Sequence, residues 1–152
     1  MPIDAERALA LEIPPITVDV ERGRLRFFAK AIGQTDPVYT DIAAARAAGH
    51  PDLPVPPTFF FSLELEAPDP FAFLAALDID LRHVLHGEQS FEYLAPVYAG
   101  DRVTLTPSFV DVSSKKGGAL ELLTKETVIT RDSITVARAT NVIVVRNPGA
   151  AS

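Results

Sequence analysis

The pattern of apolar and polar residues changes its period about halfway along the chain. In the first part apolar residues recur at helical spacing, whereas from His83 onward they alternate with polar residues in long runs. The second part is also rich in Val, Thr and Ile, which favour strands. The sequence therefore predicts helices followed by an antiparallel sheet, which is an α+β arrangement.

About five strands are predicted, one short and early, four long and late. They are residues 16–20, 83–93, 102–112, 119–131 and 134–145. Residues 113–118 contain two lysines and two glycines and are predicted to form a flexible hairpin tip, while 131–133 form a tighter one.

Three helices are predicted in the first part. The first follows Asp19 and ends at Gly33, and the second covers 42–48 with Asp41 as its cap. Four prolines then make 50–57 a rigid loop. The third helix begins with three consecutive phenylalanines at 59–61, which is apolar enough for burial on most sides, and a further helical piece covers 71–77.

Composition narrows the classes of function. A chain of 152 residues with 47% hydrophobic residues predicts a single domain over 1–152 with a real core. The net charge of −6 and the scattered basic residues argue against nucleic-acid or membrane binding. Without cysteine, and with three histidines, no metal site is expected. The amino end does not resemble a signal peptide, so we expect a soluble cytoplasmic protein.

Three motifs carry a resemblance to a known family. They are AIGQTDPVYTD at 31–41, VPPTF at 55–59 and HGEQSFEY at 86–93. In this order they resemble the MaoC-like enoyl-thioester hydratases, which have the hot-dog fold, a long antiparallel sheet wrapped around one central helix. A single such sheet leaves an edge strand and part of a face open, so a homodimer or a heterodimer with another hot-dog subunit is expected.

The resemblance implies a lyase reaction in fatty acid metabolism that needs no cofactor. Water is added to an α,β-unsaturated thioester of CoA or acyl-carrier protein, or removed from the (R)-3-hydroxyacyl thioester. An Asp and a His from an Asp-x-Asn-Pro-x-His segment usually act as acid and base on that water. A backbone donor at the start of the central helix holds the enolate oxygen.

This chain departs from the family at the catalytic segment. Gln34 replaces the Asp, Asp36 replaces the Asn and Tyr39 replaces the His. Gln does not titrate, and an ordinary Tyr with a pKa near 10 is a poor base at neutral pH. The pattern is similar to the acyl-binding subunits of heterodimeric 3-hydroxyacyl-acyl-carrier-protein dehydratases and to the non-catalytic first half of two-hot-dog hydratases. The signature that begins at His86 also resembles that type.

Several residues have a functional and a structural interpretation. Asp36 and Asp41 could replace the absent carboxylate or act as turn and helix caps. Tyr39 could donate to a thioester carbonyl or simply pack. His86 and Glu88, two apart on a strand, are expected on one face with Gln89 on the other, either as an acid–base pair or as a structural network.

The start of the central helix is the predicted place for the thioester oxygen. Thr58 and the following amides are candidates for this role, and a helix cap by Thr58 would use the same geometry. Four further residues are predicted substrate contacts, namely Gln34, Pro57, Phe59 and Glu88. The phenylalanines at 59–61 are most simply core residues, although one of them could line an acyl tunnel.

The sequence is compatible with three functions. The chain could be the acyl-binding half beside a catalytic hot-dog partner, with Gln34 and Tyr39 in the two catalytic positions. It could instead be a self-sufficient hydratase whose rearranged site uses Asp36, Tyr39 and His86. A third alternative is a binding protein that sequesters acyl thioesters without chemistry.

Overall fold

A five-stranded antiparallel sheet with the order β1-β3-β4-β5-β2 forms the body of the protein. A computed structural model describes residues 2–150, so residues 1, 151 and 152 of the predicted domain lie outside the described part. The strands are β1 Ile16–Asp19, β2 Val84–Tyr93, β3 Arg102–Lys115, β4 Leu120–Arg131 and β5 Ile134–Arg146. The sheet encloses a short helix, which confirms the expected α+β hot-dog fold.

The hairpin between β3 and β4 is tighter than expected. The ladder continues from Ser113, opposite Leu122, to Lys115, opposite Leu120, and only residues 116–118 form the turn. The predicted flexible tip over 113–118 is therefore wrong for its first half, because backbone pairing continues through polar side chains as readily as through apolar ones. The second hairpin turns at Asp132 and Ser133, as the sequence predicts.

Within residues 2–150, five α-helices accompany the sheet. They are α1 Ala5–Ala10, α2 Arg22–Ala31, α3 Ile42–Ala47, α4 Phe60–Glu64 and α5 Ala72–Ala76. The sequence did not predict α1, which Asp4 caps by accepting from the amide of Arg7 at 3.0 Å. The helix predicted to follow Asp19 begins only at Arg22, because Asp19 still pairs with Arg102 in the sheet.

The central helix α4 is preceded by a 3-10 turn over Pro57–Phe59. Thr58 is exposed and makes no capping hydrogen bond, so the predicted cap is wrong. Pro57, at the first position of the turn, has no amide hydrogen that would need a cap. The Phe59 amide already donates to the Pro56 carbonyl at 3.0 Å. The helix buries Phe60 and Leu63 against the sheet.

The inner face of the sheet carries two separate apolar clusters. The first, near α2 and α4, includes Leu25, Phe59, Leu63, Leu105 and Ile129. The second, near α5, includes Phe73, Leu74, Phe109, Leu123 and Ile143. Both clusters use alternate residues of β3 and β4, as expected for a sheet with one covered face. Within residues 2–150, no helix combines the length and the apolar character required to cross a bilayer.

Candidate functional site

A cavity of about 600 Å³ lies between the sheet and the segments that cover it. Its walls come from parts of 11–16, 61–76 and 81–86 and from the inner faces of β3, β4 and β5. Most of the lining is apolar, and the volume falls in the range of ordinary small-ligand sites. A long apolar group fits these walls better than a sugar or a nucleotide does.

Two charged side chains form an ion pair in the cavity wall. Lys125 on β4 donates to Glu64 at the end of α4, with 2.6 Å between Nζ and Oε2. Each side chain is only 13% exposed, and the Lys125 ammonium also lies 5.8 Å from the centre of the Phe73 ring. The pair is therefore largely withdrawn from water, where an ion pair interacts strongly but also costs desolvation.

A second polar group in the wall is centred on Asn141 of β5, which is 6% exposed. Its amide nitrogen contacts Nε2 of His86 and donates to Oε1 of Gln89 at 3.1 Å. Phe61 packs edge-on against the imidazole ring of His86 at 5.6 Å.

A β-bulge at Gly87 determines which β2 side chains face this group. His86 is opposite Ile143 and Glu88 is opposite Val142, so one residue of β2 is unpaired. The expectation that His86 and Glu88 share a face is wrong, because the extra residue reverses the alternation beyond it. Gln89 lies with His86 against Asn141, and Glu88 is exposed on the strand.

The segment that corresponds to the family's catalytic motif is held by local hydrogen bonds. The Asp36 carboxylate accepts from the Val38 amide at 3.1 Å and caps the short turn that ends at Tyr39. The Gln34 side chain accepts from the Asp36 amide at 3.1 Å. Asp41 accepts from two amides at the start of α3, so capping is confirmed for both aspartates.

The same segment lies apart from the cavity. Gln34, Asp36 and Tyr39 are absent from its lining, whereas His86 is part of it. Within residues 2–150, the structure therefore does not bring together the three residues Asp36, Tyr39 and His86 that were predicted to form a rearranged catalytic site.

The predicted contacts at the start of the central helix have different environments. Phe59 is 2% exposed and packs edge-on against Phe28 with ring centres 5.2 Å apart, so it belongs to the core. Its neighbour Phe61 lines the cavity. The Pro57 carbonyl accepts from the hydroxyl of Tyr93, and burial raises the pKa of that phenol.

The cavity residues Glu64, Lys125 and Asn141 were not identified from the sequence. A signal exists for Asn141, because it is a polar residue at an inward position of β5, whose neighbouring inward residues are apolar. Lys125 gives a weaker signal, because β4 also carries the polar residues Glu121 and Thr127 at inward positions. Glu64 is the last residue of α4, where a charged residue gives no sign of a binding site. Its contact with Lys125 depends on the tertiary fold. Residues 2–150 contain no group of three or more His, Asp or Glu side chains positioned to hold a metal ion.

The chain is similar to known proteins in both sequence and structure. The family model described as "FAS1-like, dehydratase domain region" matches residues 8–139. A UPF0336 protein of Streptomyces griseus is 41% identical over 133 residues, covering 83% of this chain and 89% of that protein. A UPF0336 protein of Clavibacter michiganensis is 37% identical over 155 residues and covers 99% of this chain and 100% of that protein.

Solved structures show the same fold at lower identity. The HadBC (3R-hydroxyacyl-ACP dehydratase) complex of Mycobacterium tuberculosis has a TM-score of 0.75 at 23% identity, covering 88% of this chain and 92% of that one. A MaoC-like dehydratase has a TM-score of 0.79 at 22% identity, covering 95% of this chain and 44% of that one. An (R)-hydratase of A. caviae involved in PHA biosynthesis has a TM-score of 0.64 at 20% identity, covering 90% and 98%.

Proposed function

Since the chain belongs to the FAS1-like dehydratase family, we propose that it takes part in (R)-specific hydration or dehydration of acyl thioesters of CoA or acyl-carrier protein. In this proposal it is the acyl-binding subunit, and a second hot-dog subunit supplies the acid and base. No cofactor enters the reaction, because the thioester itself acidifies the hydrogens on C2.

The observation that carries the proposal is the composition and geometry of the segment 34–39. A hydration needs one group that takes a proton from water and one that delivers a proton to C2. Gln34 does not titrate, and the Asp36 carboxylate is engaged as a cap by the Val38 amide. Neither residue lies in the cavity wall. A site of this composition supports binding of the substrate better than it supports proton transfer.

The cavity supports the acyl-binding role. Its lining is mostly apolar, which suits an alkyl chain, because burial of each methylene contributes about 0.8 kcal/mol. Phe61 and Phe73 contribute aromatic walls, and the Phe73 ring lies 5.8 Å from the Lys125 ammonium. The same walls suit a protein that binds acyl thioesters without chemistry. The acyl-binding subunit and such a sequestering protein therefore differ in turnover and in the need for a partner, not in the cavity.

A hot-dog partner is supported by the open edge of the sheet. Strand β2 pairs with β5 and has no neighbour on its other side within residues 2–150. Large apolar side chains on it are half exposed, Leu85 at 50% and Tyr93 at 49%. A long edge strand with exposed apolar residues offers a template for pairing with another chain. The structural relative HadBC is itself a complex of two kinds of subunit.

A self-sufficient hydratase is the second candidate, because His86 lies in the cavity wall in contact with Asn141. Imidazole is a common general base, and Nε2 of His86 would accept a proton from water only after releasing Asn141. Among the described side chains, no carboxylate hydrogen-bonds to this imidazole. Glu88 is on the other side of the bulged strand, Asp36 lies outside the cavity, and the cavity carboxylate Glu64 pairs with Lys125.

The test measures turnover of crotonyl-CoA and longer enoyl thioesters by the loss of their ultraviolet absorbance. The purified chain is assayed alone and together with a small hot-dog protein that carries Asp-x-Asn-Pro-x-His, taken from a neighbouring gene. We expect no turnover by the chain alone, and a rate with the partner that exceeds the rate of the partner alone and extends to longer substrates.

Three variants distinguish the candidates. Under the acyl-binding proposal, Asp36→Asn and His86→Ala leave the partner's acid–base chemistry intact, and Tyr39→Phe serves as a matched control that removes one hydroxyl. Turnover by the chain alone that is abolished in His86→Ala and follows the titration of an imidazole would establish the self-sufficient enzyme instead. Acyl-CoA binding without turnover in the presence of every hot-dog partner would favour the sequestering protein.

A further inference from the structure

A row of polar side chains crosses the inner face of the sheet between the two apolar clusters. Lys125 of β4 is the direct cross-strand partner of Asn141 of β5, which is in turn the partner of Gln89 of β2. On one side of this row lie Thr127 and Ala139, followed by Ile129 of the first cluster, and on the other side lies Leu123 of the second cluster. The row thus lies between the two apolar clusters.

The ion pair in this row is not explained by stability. Removing two charges from water costs several kcal/mol per ion, and an apolar pair of similar volume is usually as stable or more stable. The contact between α4 and β4 that Glu64 and Lys125 make could therefore be made by Leu and Met. A costly polar pair that lines a cavity is better explained by what the cavity binds.

The polar row has unused hydrogen-bonding capacity directed toward the cavity. The Lys125 ammonium has three hydrogens, and within residues 2–150 its hydrogen bond is to Glu64. The side-chain oxygen of Asn141 accepts no hydrogen bond from the described residues, while its nitrogen is used twice. Directly opposed residues on one face have Cβ atoms roughly 5 Å apart, so one small polar group can contact both side chains.

The charge of the row selects the kind of group. Lys125 and Glu64 neutralise each other, and Asn141 and Gln89 are uncharged, so the row offers no net charge to a carboxylate or a phosphate. A hydroxyl matches it, because its oxygen accepts from the Lys125 ammonium and its hydrogen donates to the side-chain oxygen of Asn141.

Resting on the acyl-binding function, we propose that this cavity selects acyl chains that carry a neutral hydroxyl group along the alkyl part, held by Lys125 and Asn141. A plain alkyl chain would press methylenes against groups that require polar partners, which weakens its binding. The Glu64–Lys125 pair is then a determinant of specificity, and the apolar walls on either side of it bind the alkyl segments before and after the hydroxyl.

The experiment measures binding of acyl-CoA probes to the purified protein by isothermal titration calorimetry. The probes are dodecanoyl-CoA, a series with a single hydroxyl at mid-chain or terminal carbons, and the derivative with a terminal carboxylate. We expect one hydroxyl derivative to bind about tenfold more tightly than dodecanoyl-CoA, the effect of one hydrogen bond to a charged group. The terminal carboxylate is expected to bind no better than the plain chain.

The double variant Glu64→Leu, Lys125→Met tests the assignment of residues. It should unfold at the same urea concentration or higher, bind dodecanoyl-CoA more tightly and lose the preference for the hydroxyl. The matched control Glu92→Leu, Arg138→Met removes an exposed pair whose atoms are 3.4 Å apart and which lies outside the cavity lining, so it should retain the preference.

Two results would overturn the inference while leaving acyl binding intact. One is a wild-type protein that binds dodecanoyl-CoA as tightly as every hydroxyl derivative. The other is a double variant that keeps the preference and loses stability, which would assign the pair a purely structural role. If none of the probes binds, with or without a hot-dog partner, the acyl-binding function itself fails and the inference fails with it.

Discussion

Substitution of Gly87 by Ala tests the role of the bulge in β2. A Cβ atom at this position would lie 2.8 Å from Cγ2 of Val144 and 3.0 Å from the carbonyl oxygen of Val142. Carbon atoms do not approach a methyl group this closely in packed proteins, so one strand must shift. The close approach of β2 to β5 therefore requires glycine at position 87.

The cost follows from which atoms can move. The Val144 side chain is branched at Cβ and has restricted rotamers, and the Val142 carbonyl belongs to the ladder between β2 and β5. Added volume in a packed region typically costs about 1–3 kcal/mol. Because one obstacle is a stiff side chain and the other is backbone, we expect Gly87→Ala to lower the free energy of unfolding by about 2 kcal/mol.

Urea denaturation followed by circular dichroism measures this change, with Gly23→Ala as the matched control. Gly23 lies in α2 and has nothing within 4 Å of an added Cβ, so its replacement should stabilise the protein by up to about 0.5–1 kcal/mol. The second substitution Val144→Ala should offset part of the cost of Gly87→Ala, because it removes the 2.8 Å contact.

The bulge also orients the site, which gives a second observable. Nuclear magnetic resonance of the Asn141 side-chain amide should show a changed environment in Gly87→Ala, because Asn141 contacts His86 and Gln89 on either side of the bulge. If Gly87→Ala unfolded at the same urea concentration as Gly23→Ala and left the Asn141 amide unchanged, the close contact would not constrain β2.

Two further predictions concern other parts of the fold. Hydrogen bonding to Arg22 lowers the pKa of Asp52 to about 2 from 3.8, so this carboxylate contributes stability above pH 3.8 that is lost as the pH falls through about 2. The stability difference between wild type and Asp52→Asn, measured by thermal unfolding, should therefore shrink over that window, and a constant difference would contradict the assignment. Phe59→Ala should cost about 3–5 kcal/mol because Phe59 is 2% exposed in the core. Phe61→Ala should cost clearly less because Phe61 is 36% exposed, and equal costs in urea denaturation would contradict the division between core and cavity wall.

The strands and their order of appearance were predictable because period-two alternation depends only on local sequence. The β3 residues Val103 and Leu105 alternate with polar ones, and the inner face uses that alternation. Helix ends were predictable where a cap is local, as at Asp41, and not where a neighbouring strand competes, as at Asp19. The end of β3 was missed because its last pairs are formed by backbone groups, which every residue has.

The candidate site was less predictable, because it depends on one unpaired residue and on contacts between distant elements. Alternation along β2 places His86 and Glu88 together, and only the pairing with β5 shows that Gly87 is the bulge. Contact between Glu64 and Lys125 joins residues 61 positions apart. A polar residue at an inward position of a strand indicates such a site, but the sequence does not show which distant residue it contacts.

Local hydrogen bonding explains how the segment 34–39 keeps its shape without an acid–base pair. Two hydrogen bonds close the turn: the Val38 amide donates to the Asp36 carboxylate, and the Asp36 amide donates to the Gln34 side chain. Neither bond requires a titrating Asp or His at positions 34 and 39. Gln34 and Tyr39 are therefore compatible with the shape of this turn. Under the acyl-binding proposal, in which a partner supplies the acid and base, the cavity wall that contains Glu64, Lys125 and Asn141 is constrained by binding of the acyl chain alone.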